Sequence, residues 1–166
     1  MFDDMDEDYI KPLIDLLRTG VYHATSFDNY RRILTSGQIT PRSGYEGMSC
    51  DRPHLANCWE MSAVSLFDFE LPPLNRIFDR IEFAKWSGLL VRSGATVFIG
   101  FRREQLPGHI VYYEEAKQRC GLGGIIPSVE ICHEGPIPVA LAFQCVVVSA
   151  TPDISLRIYP GYKIPD

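Results

Sequence analysis

The chain has 166 residues, enough for one domain that buries most of a core. Its hydrophobic fraction of 46% is that of a soluble globular protein, and no apolar run approaches the roughly 18 residues that a membrane-spanning helix needs. The net charge of −5 sits in the first eight residues (Asp3, Asp4, Asp6, Glu7, Asp8); the remainder carries 16 acidic and 16 basic side chains, so bulk charge argues neither for nor against a nucleic-acid partner.

The opening Met1-Phe2-Asp3-Asp4 lacks the basic-then-apolar order of a signal peptide. The five cysteines, Cys50, Cys58, Cys120, Cys132 and Cys145, form an odd set without a CxxC. A reduced, cytoplasmic chain with no disulfide framework and no membrane partner is therefore the expectation.

In chain order, Ile10, Leu13, Ile14 and Leu17 fall at helical spacing and predict an amphipathic helix over about residues 5–18, closed near Gly20. Val21–Ala24 reads as a short strand. Thr25-Ser26-Phe27-Asp28 then supplies capping residues to a second helix, with Phe27, Tyr30, Ile33 and Leu34 on one face and Gly37 at C′. Residues 40–60 have no period and read as a long, functional loop. Ala63–Phe69 is strand-like. Pro72-Pro73 opens a helix that ends by Gly94, and Thr96–Phe101 is again a strand. Residues 106–124 combine a short helix with a glycine-rich turn (Gly121, Gly123, Gly124), which has no strand–turn–helix setting and is not a dinucleotide fingerprint. Ile125-Ile126 and Ser128–Cys132 are strand-like, Gly135–Pro138 is a turn, and Ala140–Val148 is a buried strand by its β-branched run. The fold class is α+β.

Several residues stand out chemically. His23 lies near a strand end, where an imidazole either meets a ligand or is a satisfied core histidine. Glu130 interrupts an apolar stretch, Ile125 to Cys132, so it either faces solvent by alternation or serves a cleft. Glu134, on the turn, is its rival, with a solvent role favoured. Cys50, His54 and Cys58 recur every four residues, which would stack metal ligands on a helix, but Pro53 and a missing fourth ligand argue against zinc. Cys132 and His133 are adjacent, and neighbouring strand residues point to opposite faces, which separates them as a nucleophile pair.

Three segments together resemble the ADP-ribosyltransferase fold family, above all its small bacterial toxin-like members such as the DarT type. They are Tyr22-His23-Ala24-Thr25 followed by Asn29, Ile33 and Gly37; Val64-Ser65-Leu66-Phe67; and Ser128-Val129-Glu130 followed by Ile137-Pro138. The resemblance implies a split β-sandwich of two small, roughly perpendicular sheets around a NAD cleft, with residues 21–166 as that domain and 1–20 as a helical extension. It implies NAD as substrate, Glu130 as the catalytic carboxylate, and His23 with Thr25 on the adenosine-side ribose. Ser65 positions Glu130 or the ribose, Phe67 or Tyr45 stacks on nicotinamide, and Arg42, with Arg52 as the alternative, pairs with the pyrophosphate. Phe67 also has a core role open to it, and Tyr45, Arg42 and Ser65 have ordinary loop or buried-polar roles open to them.

The chemistry gives that pattern a reason. Nicotinamide leaves as a cationic ring made neutral, and an oxocarbenium-like ribose remains; a nearby carboxylate stabilises that charge and can orient the acceptor. The acceptor implied is a macromolecule, nucleic acid or protein, in a toxin or defence setting with a possible antitoxin partner. Two other functions stay open: an RNA 2′-phosphotransferase-like enzyme on the same scaffold, and a degenerate module that binds a nucleotide or a partner. A NAD site requires that Glu130 and His23 serve one cavity.

Overall fold

The computed structural model describes residues 7–41, 57–70, 95–120, 129–149 and 155–164. The predicted 72–94 helix, most of the 40–60 loop, the glycine-rich turn at 121–124 and Ile125–Ser128 lie outside these residues.

The described elements, in chain order, are α1 (Glu7–Leu17), β1 (Val21–Ser26), α2 (Phe27–Ser36), β2 (Gln38–Ile39), α3 (Asn57–Glu60), β3 (Ala63–Asp68) and β4 (Ala95–Phe101), then β5 (Ile110–Val111), α4 (Tyr113–Cys120), β6 (Glu130–Glu134), β7 (Ile137–Pro138), β8 (Ala142–Ser149) and β9 (Ser155–Pro160). The fold is mixed α+β. Seven strands form one sheet in the order β5-β6-β3-β1-β4-β8-β9, while β2 and β7 pair separately. Every ladder is antiparallel.

Each side of the central strands has its own apolar cluster. Leu13, Ile14 and Leu17 of α1 pack with Tyr22, Phe67, Phe98, Val146 and Val148 on one side. Pro12 sits inside α1 and is exposed, so the helix is held by these aliphatic side chains where the proline interrupts its ladder. On the other side Tyr30 of α2 packs with Val21, Leu66, Val97, Ile99 and Phe101, joined by Ile33, Leu34 and the β2–β7 pair. A third, smaller cluster (Cys58, Ala63, Val111, Ala116, Cys132) lies under α3 and α4.

Local sequence sets α2 in place. Ser26 Oγ accepts a hydrogen bond from Asn29 N at 3.3 Å, and the left-handed Gly37 (φ 75°) returns its N–H to Ile33 O at 2.9 Å. The Asn29, Ile33, Gly37 spacing is thus a helix with both ends closed. Gly37 O then accepts from Val139 N at 3.1 Å, which fixes the β7 segment beside it.

Several features differ from the sequence expectations, among them the short strands β5 and β7, where a helix with a turn and a turn were expected. β6 begins at Glu130 and runs through Glu134, so Glu130 opens its described strand instead of interrupting one. α3, a single turn, occupies the end of the predicted loop. β9 was not foreseen, because its residues are mostly exposed and carry a weak apolar pattern as an edge strand. The cysteines are not all reduced: Cys58 and Cys132 form a disulfide across 74 residues of sequence, a pairing that no local motif announces.

Gly100 lies where β4 passes under the fully buried Tyr22. A Cβ built there falls 2.5 Å from Tyr22 Cε1, and the ring cannot yield because Thr19 and Gln144 both bond its hydroxyl. Gly100→Ala is expected to lower the unfolding free energy by about 1–3 kcal/mol, the usual range for overpacking a core. Urea denaturation of the two proteins measures this, and an unchanged midpoint would show that Tyr22 has room to move.

Candidate active site

Glu130 is the buried carboxylate of interest, with 5% of its surface exposed at the start of β6. Its position follows from the register. Phe67 pairs with Glu130 and Ser65 with Cys132, so Ser65, Phe67, Glu130 and Cys132 share one face of the sheet. Ser65 and Glu130 are diagonal neighbours on that face, close enough for side chains to meet. They do meet: Ser65 Oγ donates to Glu130 Oε1 at 2.5 Å. A hydroxyl donor holds a carboxylate in one orientation and compensates part of the cost of burying it.

His23 reaches the same serine from the neighbouring strand. β1 and β3 each have six residues, yet only two pairs join them, Val21↔Asp68 and Tyr22↔Phe67. β1 meanwhile pairs with β4 along its whole length. Beyond Tyr22 the β1–β3 ladder therefore stops, and the Ser65 carbonyl has no strand partner on that side. His23 Nδ1 bonds that carbonyl at 3.0 Å, which assigns the proton to Nδ1 and leaves Nε2 as an acceptor in the neutral ring. Alternation puts His23 with Val21 and Thr25 on the face opposite Tyr22, Phe67 and Glu130. By that alternation the two groups do not share a face, against the expectation of one cavity; what links them is Ser65, whose carbonyl bonds the imidazole and whose hydroxyl bonds the carboxylate.

The other residues named from the sequence are distributed as follows. Thr25 is buried two residues along β1, opposite Val97 of β4, beyond the Ser65 hub. Phe67 sits in the core with Tyr22 and Phe98, directly opposite Glu130 in the ladder. Arg42, Tyr45 and Arg52 lie outside the described residues, as do Cys50 and His54 of the four-residue spacing. Cys58, the remaining member of that spacing, is taken up by the disulfide, and no group of three metal-ligating side chains occurs among the described residues. Cys132 is likewise committed. His133 is buried, with Nδ1 3.1 Å from Gly135 O and Nε2 bonded to Pro107 O, so its neighbour is not a nucleophile it could activate. Glu134 faces solvent and pairs with Arg119 at 2.6 Å, which holds its carboxyl below the usual range.

Sequence reasoning missed what walls the carboxylate. Cys58 Sγ lies 3.8 Å from Glu130 Oε1 and 3.9 Å from Ile131 O, so the disulfide flanks the carboxylate. With its sulfur bonded to Cys132, Cys58 has no proton to give, and the contact is one of packing. Between α3 and β3 the chain turns through Ser62, a left-handed non-glycine residue (φ 50°), a conformation that accumulates near functional sites. The two other described cysteines are unpaired; Cys145 is buried and its thiol is pushed up to about 12, which makes it inert at neutral pH.

A second buried carboxylate, Asp68, closes β3. It is fully buried, accepts from Glu70 N at 3.0 Å and pairs with Arg103, whose guanidinium also reaches Glu70 at 3.6 Å. Burial raises its pKa above the ordinary 3.8, and the Glu70 amide and Arg103 offset only part of that. The folded chain therefore holds this proton more tightly than the unfolded chain. Its contribution to stability is fullest below 3.8, falls as pH rises through the raised folded value, and is flat above it. Across that window the Tm difference between wild type and Asp68→Asn is expected to shrink as pH rises; a difference that grows would mean that Arg103 outweighs burial.

Comparison of the chain with protein-family models, with characterised proteins and with solved structures finds no match.

Proposed function

We propose that this chain is an NAD-dependent ADP-ribosyltransferase that moves ADP-ribose from NAD to a macromolecular acceptor, nucleic acid or protein. The single observation that carries this is the Ser65 hub: a buried glutamate and an imidazole from strands on either side of β3 are both tied to one serine. The resemblance read from the sequence calls for a histidine strand, a serine strand and a glutamate strand, and β1, β3 and β6 are adjacent in that order. The interrupted β1–β3 ladder is compatible with a sheet that divides into two halves there, the split sandwich of that family.

Each group has a role in the chemistry. The bond that breaks joins the ribose C1′ to the nicotinamide nitrogen, and its electron pair leaves with the ring. Glu130, held by Ser65, stabilises the positive charge developing on the ribose and accepts a hydrogen bond from a ribose hydroxyl. The acceptor nucleophile then adds to C1′ and gives up its proton to Glu130 as general base. His23 binds a ribose hydroxyl of the adenosine half with Thr25 beside it. Phe67 supports Glu130 from the core, which leaves Tyr45 for stacking on nicotinamide and Arg42 for the pyrophosphate.

An RNA 2′-phosphotransferase would need arginines converging on a phosphate. Among the described residues Arg102 is engaged by Thr19 O and the Phe143 ring, Arg103 by Asp68, and Arg31 lies over Phe27. Arg42 and Arg52 lie outside the described residues.

Incubating the full chain with NAD labelled in its adenylate half, with cell lysate supplied, and following nicotinamide release and label transfer tests the proposal. Release is expected, with label entering nucleic acid or protein. Glu130→Gln is expected to slow release by about 100- to 1,000-fold, the scale of losing one preorganised charge-stabilising group, with little change in NAD affinity. Ser65→Ala, which removes only the donor that orients Glu130, is expected to cost about tenfold. A Glu130→Gln protein that releases nicotinamide at the wild-type rate, or a wild type that neither binds NAD nor releases nicotinamide, would remove the transferase and leave a binding module.

A further inference from the structure

The Cys58–Cys132 bond joins two elements that meet beside the carboxylate. Cys132 lies on β6, two residues from Glu130 and on the same face; Cys58 lies on the single-turn α3. Their Cα atoms are 5.4 Å apart, a separation suited to a disulfide, and both residues are buried. A four-residue helix has little intrinsic stability, so the bond and the packing around it keep α3 against β6. The bond also decides what stands next to Glu130. Oxidised, Cys58 offers Oε1 a sulfur without a proton at 3.8 Å. Reduced, the same sulfur carries a proton and becomes a donor that competes with the Ser65 hydroxyl for Oε1.

We propose that the Cys58–Cys132 pair is a thiol–disulfide switch on the Glu130 carboxylate, with the oxidised chain as the active form. This deepens the proposed transferase and rests on Glu130 being its catalytic group. The switching reagent is a dithiol reductant. One of its thiolates attacks a sulfur of the pair, the protein S–S bond breaks and a mixed disulfide forms. The second thiol of the reductant displaces the protein sulfur, so the reductant leaves as its disulfide and two electrons and two protons reside on Cys58 and Cys132. Because both sulfurs are buried, the attack proceeds through local opening of α3, and the switch is slower than that of an exposed disulfide. Reduction adds a donor to Oε1 and frees α3 from β6, which admits water. Both changes favour the charged carboxylate, loosen its orientation and weaken catalysis.

The test uses the full chain, oxidised or treated with dithiothreitol, with free thiols counted by alkylation and intact mass after denaturation. The oxidised chain is expected to alkylate two fewer cysteines than the reduced one. Glutamate labelled with 13C at the carboxyl, its Glu130 signal identified by Glu130→Gln, gives the titration midpoint of that group without any substrate. Reduction is expected to lower the midpoint by about half a pH unit or more and to slow nicotinamide release by about tenfold. Cys58→Ser should show the slow rate with and without reductant. An equal alkylation count in both states, an unmoved midpoint and rate once the bond is open, or loss of the near-UV circular dichroism on reduction would each overturn the switch; the last would make the bond a general staple of the fold. A midpoint that moves in a chain that releases no nicotinamide in either state would uphold the coupling and reject the transferase.

Discussion

Ser65 is the residue on which the site's geometry depends, because two of its atoms do different work on two sides of a strand. Its carbonyl faces the side where β1 stops pairing, and the His23 ring takes up the bond that a strand partner would have made. Its hydroxyl faces β6 and holds Glu130. A regular β1–β3 ladder would satisfy the carbonyl with a backbone amide and leave the imidazole no place there. The interruption is therefore what admits a titratable ring to the middle of a sheet whose neighbouring strands are among the most buried in the molecule.

The two carboxylates at the ends of the β3–β6 pair show how differently one fold treats the same chemistry. Asp68 is answered by a guanidinium and a backbone amide, a closed arrangement that ties β3 to the turn after β4. Beside Glu130 stand the Ser65 hydroxyl and the Cys58 sulfur, with Phe67 opposite it in the ladder. The Ser65 hydroxyl is a neutral donor that orients the carboxylate.

Much of the scaffold was legible because it is written in local signals. Ser26, Asn29 and Gly37 announce both ends of α2 by capping chemistry, and Leu13, Ile14 and Leu17 announce the buried side of α1 by spacing. β1, β3, β4 and β8 were readable from apolar and β-branched runs, though their bounds shift by a residue or two. What could not be read depends on contacts distant in sequence. The pairing of Cys58 with Cys132, the Asp68–Arg103 ion pair and the place where β1 and β3 part are each set by how strands are ordered in the sheet, and strand order leaves no local trace. The composition also pointed the wrong way on the cysteines, since an odd count without CxxC says nothing about whether two of them meet in the fold, here a helix residue and a strand residue.

The retention of Glu130 bears most directly on function. Burying a carboxylate beside a disulfide and two apolar clusters costs stability, which the Ser65 hydroxyl offsets in part. An apolar residue at position 130 would satisfy the alternation of β6 equally well and would suit Phe67 opposite. Local rules for a buried strand are kept by Ile131 and Cys132 and broken at Glu130. Such breaks concentrate where chemistry needs a group that packing would reject. The adjoining left-handed Ser62 and the histidine wedged at the end of a ladder are further departures within the same few residues of three strands. Of these departures, the imidazole and the carboxylate both end on Ser65, at its carbonyl and its hydroxyl.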